Sequence, residues 1–187
     1  MVNQRYTTVA IVLHWAIAVL ILFNLGFGFF MEGYPPSLKG VIIPMHISSG
    51  LTVLALTVLR ILWRLAHKPP PFFATLAGWE RGAAHGVHFA LYLIMIGMPL
   101  TGWALISAHP YRPGMGPTIW WLLHVPAISP VAHMEVNAQQ AAHESLVQAH
   151  SIGGWIAVGL LVLHVGAALK HQFFDREPEF RRMGVGS

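Results

Sequence analysis

The chain has 187 residues, 55% of them hydrophobic and only 10% charged, with a mean hydropathy of +0.58. That composition excludes an ordinary water-soluble domain and points to the bilayer as solvent. The formal charge is +4 and cysteine is absent, which excludes disulfides, iron–sulfur clusters, thiolate catalysis and covalently tethered haem.

Four stretches reach the roughly 20 apolar residues that a transmembrane helix needs. The first, about 9–31, is too long for a cleavable signal peptide, has only a weak cleavage signature, and carries His14 within it. A short turn over 32–40 follows, where Pro35-Pro36 and two glycines forbid helix. The second span, about 41–63, carries His46 and runs into a linker over 67–77. Three consecutive prolines from Pro69, then Phe72-Phe73, predict an extended linker at the interface. The third span, about 82–106, carries His85 and His88 near its start. The long connection, 107–143, holds Pro110, Pro113, Pro117 and Pro126. Its pair Trp120-Trp121 predicts a short helix lying in the headgroup layer. The fourth span, about 146–171, contains His150 and His164 and ends at His171. With neither a repeat nor a second domain visible, the expected fold is a single all-α unit over 1–187, a four-transmembrane-helix bundle.

Orientation follows from the basic residues. Arg5, Arg60, Arg64, Lys68, Arg81, Lys170, Arg176, Arg181 and Arg182 fall at one set of span ends, whereas only Lys39 and Arg112 fall at the other. The positive-inside rule then predicts cytoplasmic termini and a periplasmic long loop. The pI near 9.9 reflects this topology and contact with anionic lipid rather than nucleic acid, since no basic stripe interleaved with aromatics appears.

His150 and His164 are the most informative pair. Fourteen residues are nearly four helical turns, so one helix presents two imidazoles on one side with a rise of ~21 Å. Ionisable groups in an apolar run are costly and call for a functional reason. His46 and His150 share the outer depth; His14 and His164 share the inner one. Haem iron takes axial imidazoles from opposite sides, and facing helices of a bundle supply them, so the pattern predicts two non-covalent haems, one above the other. Gly50, Gly153, Gly154 and Gly166 are expected to leave room for a porphyrin edge. Ser48, Ser49, Ser151, Asn24 and Gln148 are candidates to hydrogen-bond the ligands. His88 shares the inner depth and is either an alternative to His14 or a neighbour of the inner haem. His171 is either a surface group or a hydrogen-bond donor to a ligand there. His109, His124, His133 and His143 match no zinc spacing and are expected in solvated or partner-facing roles. No P-loop, Rossmann, G-x-S-x-G or H-E-x-x-H fingerprint is present, so nucleotide and hydrolytic chemistry find no support.

Val12-Leu13-His14-Trp15, then Pro44-Met45-His46-Ile47-Ser48-Ser49-Gly50, then His85-Gly86-Val87-His88, and finally His150 and His164 running on to His171, resemble the bacterial cytochrome b561 family. The likeness covers Arg5 to about Phe174 and extends to superoxide oxidase and to the cytochrome b subunits of formate dehydrogenases and hydrogenases. It implies a diheme electron-transfer protein of the bacterial inner membrane. By the family's pattern His46 and His150 hold the periplasmic haem b, and His14 and His164 the cytoplasmic one. It also implies a ubiquinone site beside the inner haem, for which this chain offers His88 and His171. A lysine that members can carry in the inner linker has no counterpart, the aligned stretch being Phe73-Ala74-Thr75-Leu76; Arg81 is the candidate substitute.

The expected function is transmembrane electron transfer from a periplasmic donor to quinone, in the bacterial inner membrane. If superoxide is the donor, the chain acts alone as a superoxide:ubiquinone oxidoreductase. If a dehydrogenase or a cytochrome c is the donor, the chain is a cytochrome b subunit docking it through the long loop. A haem-free transporter using its histidines for metal or protons is the alternative from another class, and an absorption spectrum separates it.

Overall fold

Long apolar runs bounded by turn residues set four helices: α1 (Thr8–Phe29), α2 (Pro36–Ala66), α3 (Gly78–Ser107) and α5 (Val136–Phe173). All four are long and apolar enough to cross a membrane. The computed structural model describes residues 5–110 and 114–185, so Arg112, one of the two outer basic residues, lies outside the described residues. Local chemistry starts the helices: Thr7 accepts from the Ala10 amide at 3.3 Å, Pro36 takes the first turn of α2, and Glu80 accepts from the Ala77 amide at 2.9 Å. Large apolar side chains such as Val19, Leu22, Leu62, Phe89, Ile152 and Val162 stay exposed around the bundle. In a bilayer those positions contact lipid, so the chain is a multi-pass membrane protein.

The helices pack in the order α1 on α2, α2 on α3 and α3 on α5, while α5 makes only sparse backbone approach to α1 and α2. The wall between α5 and the α1–α2 pair is therefore the looser one. Both termini and the 67–77 linker meet at one end, hereafter the inner end. There the Tyr6 amide donates to the Arg182 carbonyl, and Arg182, only 5% exposed and part of the short helix α6 (Glu179–Arg182), donates to the Pro71 carbonyl. Its guanidinium lies 4.5 Å from the Phe73 ring centroid, a cation–π contact that closes the clamp.

The outer end departs from expectation in three ways. α2 begins at Pro36, because proline suits the first helical turn, so 36–40, expected as part of a non-helical turn, is helical. α5 begins at Val136, ten residues before the expected start at 146, so the connection spans 108–135. Trp120 and Trp121 are not helical. They form the turn of a two-stranded hairpin, β1 (Thr118–Ile119) with β2 (Leu123–His124), at φ values of 49° and 60°. Such turns favour Asn and Gly, and two tryptophans in the left-handed region carry strain. Tertiary hydrogen bonds hold them: the Trp120 amide donates to Ser48 Oγ at 2.8 Å and its indole to Thr52 Oγ1 at 3.1 Å. On the α3 side, the Ile128 amide donates to Ser107 Oγ and the Trp103 indole to the Pro126 carbonyl. A short helix α4 (Ser129–Ala132) completes the cap.

Candidate functional site

Pro44 and Pro99 each interrupt a helix close to the outer histidines. A helical proline leaves the carbonyl four residues earlier without its donor, here those of Gly40 and Met95. Separately, the Ser48 hydroxyl back-bonds to the Pro44 carbonyl at 2.7 Å, and that of Thr101 to the Met98 carbonyl at 2.9 Å. Between these two helix segments stand His46, from α2, and His150, from α5, with ring centroids 6.1 Å apart and planes at 70°. A Cβ on Gly28 would come within 3.2 Å of His46 Cε1, and one on Gly102 within 3.3 Å of His150 Cε1. These two glycines let the rings approach α1 and α3 closely. Thr101 Oγ1 meets His150 Nδ1 at 3.0 Å, which orients that imidazole, while His46 Nδ1 is buried without a hydrogen-bond partner.

The inner pair repeats the geometry. His14 of α1 and His164 of α5 have centroids 6.1 Å apart and planes at 63°. His88 of α3 approaches the same His164 at 5.3 Å, so three histidines from three helices converge at this level. Arg60 lies within electrostatic reach of all three and donates one N–H to the Ala10 carbonyl at 2.9 Å.

His171 is elsewhere. Its Nδ1 meets Asp175 at 2.6 Å, Lys170 meets Asp175 at 2.7 Å, and Lys170 also reaches Glu80 at 2.8 Å. The Lys170 contact above all, with His171 second, holds the Asp175 carboxyl below the usual carboxylate range. Arg81 spends its guanidinium on the Leu76 and Ala74 carbonyls, so it shapes the linker.

Other expectations shift. Ser48 is fully buried but serves the Trp120 hairpin, and only Ser49, donating to Asn24 Oδ1 at 3.0 Å, stays beside His46. Ser151 and Gln148 are exposed on α5. Gly153 and Gly154 face Met98 and Phe29 and let helices approach, whereas side chains at Gly50 or Gly166 would meet nothing within 4 Å. His143 reaches the Leu105 carbonyl and stands 5.3 Å from His109, so both belong to the seam between loop and helices. Gly28, Gly102, Thr101 and Arg60 were missed as site residues in the sequence. The only signals for them were a Thr-Gly step after Pro99 and an arginine nearly two turns inside its helix end.

The family profile for prokaryotic cytochrome b561 matches residues 5–186. The chain belongs to that family. It is 28% identical over 182 residues to cytochrome b561 homolog 2 of Escherichia coli, covering 96% of this chain and 91% of that protein. It is 25% identical over 185 residues to the probable superoxide oxidase CybB of Yersinia pestis, covering 97% and 96%. Cytochrome b562 of Cereibacter sphaeroides is 34% identical over 104 residues, 52% of this chain and 66% of that one. Members of a cytochrome b family carry haem b, and the residues present suit it. Metal–imidazole bonds of ~2 Å on either side of an iron separate two axial imidazole centroids by roughly 6 Å. Both matched-depth pairs sit at 6.1 Å, whereas His88 and His164 are closer than that.

Proposed function

We propose that this b-type cytochrome carries electrons across the bacterial inner membrane through two haems, from a periplasmic donor to ubiquinone near the cytoplasmic side. The observation that carries the reading is the pair of 6.1 Å histidine contacts, both ending on α5 and separated along it by ~21 Å. His46 and His150 would hold the outer haem, and His14 and His164 the inner one. Bound there, haem iron supplies one-electron chemistry by cycling between ferric and ferrous. The chain's own part is to hold the imidazoles, to exclude water with apolar walls, and to tune the ligands by hydrogen bonds such as Thr101 to His150.

Both termini on the cytoplasmic face follow from the positive-inside rule together with their meeting at one end of the bundle. Reporter fusions at the C-terminus and at Gly114–Gly116 test that orientation. An externally accessible C-terminus overturns it.

For the acceptor, His88 beside the inner pair and His171 on Asp175 would hydrogen-bond quinone carbonyls and deliver the two protons that reduction consumes. For the donor, the similarity to the probable superoxide oxidase over nearly the full length favours superoxide, with the chain acting as a superoxide:ubiquinone oxidoreductase. The Trp- and Pro-bearing cap over the outer helix ends suits the second reading, in which a periplasmic dehydrogenase or cytochrome c docks there.

The deciding experiment is a reduced-minus-oxidised spectrum and haem count on the purified chain and its histidine variants. Two haems per chain are expected, with His46→Ala or His150→Ala losing the outer and His14→Ala or His164→Ala the inner. His14→Ala retaining both would promote His88 to ligand, and no haem at all would leave the transporter reading.

A further inference from the structure

The interior face of α2 descends at helical spacing through His46, Gly50, Val53, Thr57, Arg60 and Arg64. The face is neutral in its outer half and cationic in its inner half. At the inner end it borders a cavity of about 300 Å³ between the start of α1, the end of α2 and α3. Arg5, Arg60, Arg64, His67 and Lys68 line this cavity together with Tyr92, and no Asp or Glu does. A guanidinium offers five N–H donors. Arg60 gives one to the Ala10 carbonyl, and neither it nor Arg64 makes an ion pair with an acidic residue among the described residues. Tyr92 Oη is buried with no hydrogen-bond partner. Arginines at membrane depth need a counter-anion, and among the described residues no carboxylate pairs with Arg60 or Arg64. The site is also continuous with the inner histidines, since Arg60 acts electrostatically on His14, His88 and His164.

We propose that Arg60 and Arg64, with Tyr92, form the seat for the two propionate carboxylates of the inner haem, which therefore point into the α1–α2 cavity toward the cytoplasmic face. This rests on the two-haem reading above. Around the outer pair the described neighbours Thr101, Gly28, Gly102, Asn24 and Ser49 carry no charge. Carboxylates paired with guanidinium add little net negative charge near the iron. Unpaired, they stabilise the ferric state and lower the potential. The seat thus keeps the inner haem the better electron acceptor of the two, which favours flow from outside to inside.

The test is a spectrally resolved redox titration of the haem-loaded protein, with His14→Ala identifying the inner-haem signal. In Arg60→Gln and in Arg64→Gln, the inner-haem midpoint is expected to fall or the inner haem to be lost, while the outer midpoint stays put. Arg60→Lys, which keeps the charge, is expected to recover part of the fall. Tyr92→Phe is expected to move the propionate-bending bands of the resonance Raman spectrum with both haems retained. Because Arg64 is exposed, its variant keeps the question answerable if Arg60→Gln does not fold. Two haems with unchanged potentials and Raman bands in Arg64→Gln and Tyr92→Phe overturn the seat while leaving the diheme reading intact. Loss of tightly bound phospholipid under those same unchanged spectra overturns it too, and assigns the cavity to a lipid phosphate. A chain that carries no haem removes both readings together.

Discussion

The outer and inner histidine pairs share a centroid distance of 6.1 Å and differ in almost everything around it. The outer pair is walled by two glycines and a threonine beside Pro44 and Pro99, and among the described residues no other titratable group acts on it. The inner pair has a third histidine, His88, and the arginine Arg60 within reach. One geometry therefore serves two environments: steric and neutral outside, polar and cationic inside. The lesson is that ligation needs only spacing and room, whereas direction and proton supply need charge. Crowding should break the outer site alone, and charge or proton chemistry the inner one alone.

The largest effect is expected from filling the glycine seats. Gly102→Leu drives a side chain into His150, and Gly28→Leu into His46, so either is expected to lower haem content from two to one per chain. The surviving haem is expected to be the inner one. Loss of both in a pyridine haemochrome assay would mean that the two sites fold as a single unit.

Proton chemistry comes next. His88→Ala and His171→Ala are expected to keep both haems reducible while slowing reoxidation by added ubiquinone at least tenfold, about 1.4 kcal/mol on the barrier. Stopped-flow reoxidation measures it, and an unchanged rate in both variants removes the quinone site from this face. The His171–Asp175 contact adds a pH dependence. The Asp175 carboxyl is held below its usual range by Lys170 first and His171 second, so the contact is present at neutral pH and fades as pH falls through that lowered value. Asp175→Asn is therefore expected to slow reoxidation at neutral pH and to converge with the parent protein only in acid, below that lowered value.

Smaller effects test the outer cap. Ser48→Ala strips the Trp120 amide of its protein acceptor and is expected to cost about 0.5–1.5 kcal/mol of stability with both haem spectra unchanged. Thr101→Val is expected to shift the outer-haem midpoint only, because the hydroxyl touches His150 and no inner group. A change at the inner haem in either variant would mean that the two halves are coupled through α2 or α3.

Much of this was legible in the chain itself. Apolar runs longer than a bilayer is thick must become helices, since backbone polar groups in lipid have only one another to bond. The fourteen-residue step and the matched depths of His14, His46, His150 and His164 follow from helical periodicity, so the level of each ring was readable before any packing was known, while His88 stayed open as an alternative to His14. Tertiary structure alone decided what stands around them. Hydrogen bonds from Ser48 and Thr52 turned Trp120-Trp121 into a strained hairpin against its local propensity, and that same contact took Ser48 away from the histidines. His171 went to Asp175 because the chain bends back just after α5. Gly28, Gly102 and Arg60 gained their roles from helices distant in sequence. Periodicity along one helix follows from local backbone geometry and can be read from sequence, whereas the neighbour across the bundle depends on how four helices rotate against one another, which no local pattern encodes.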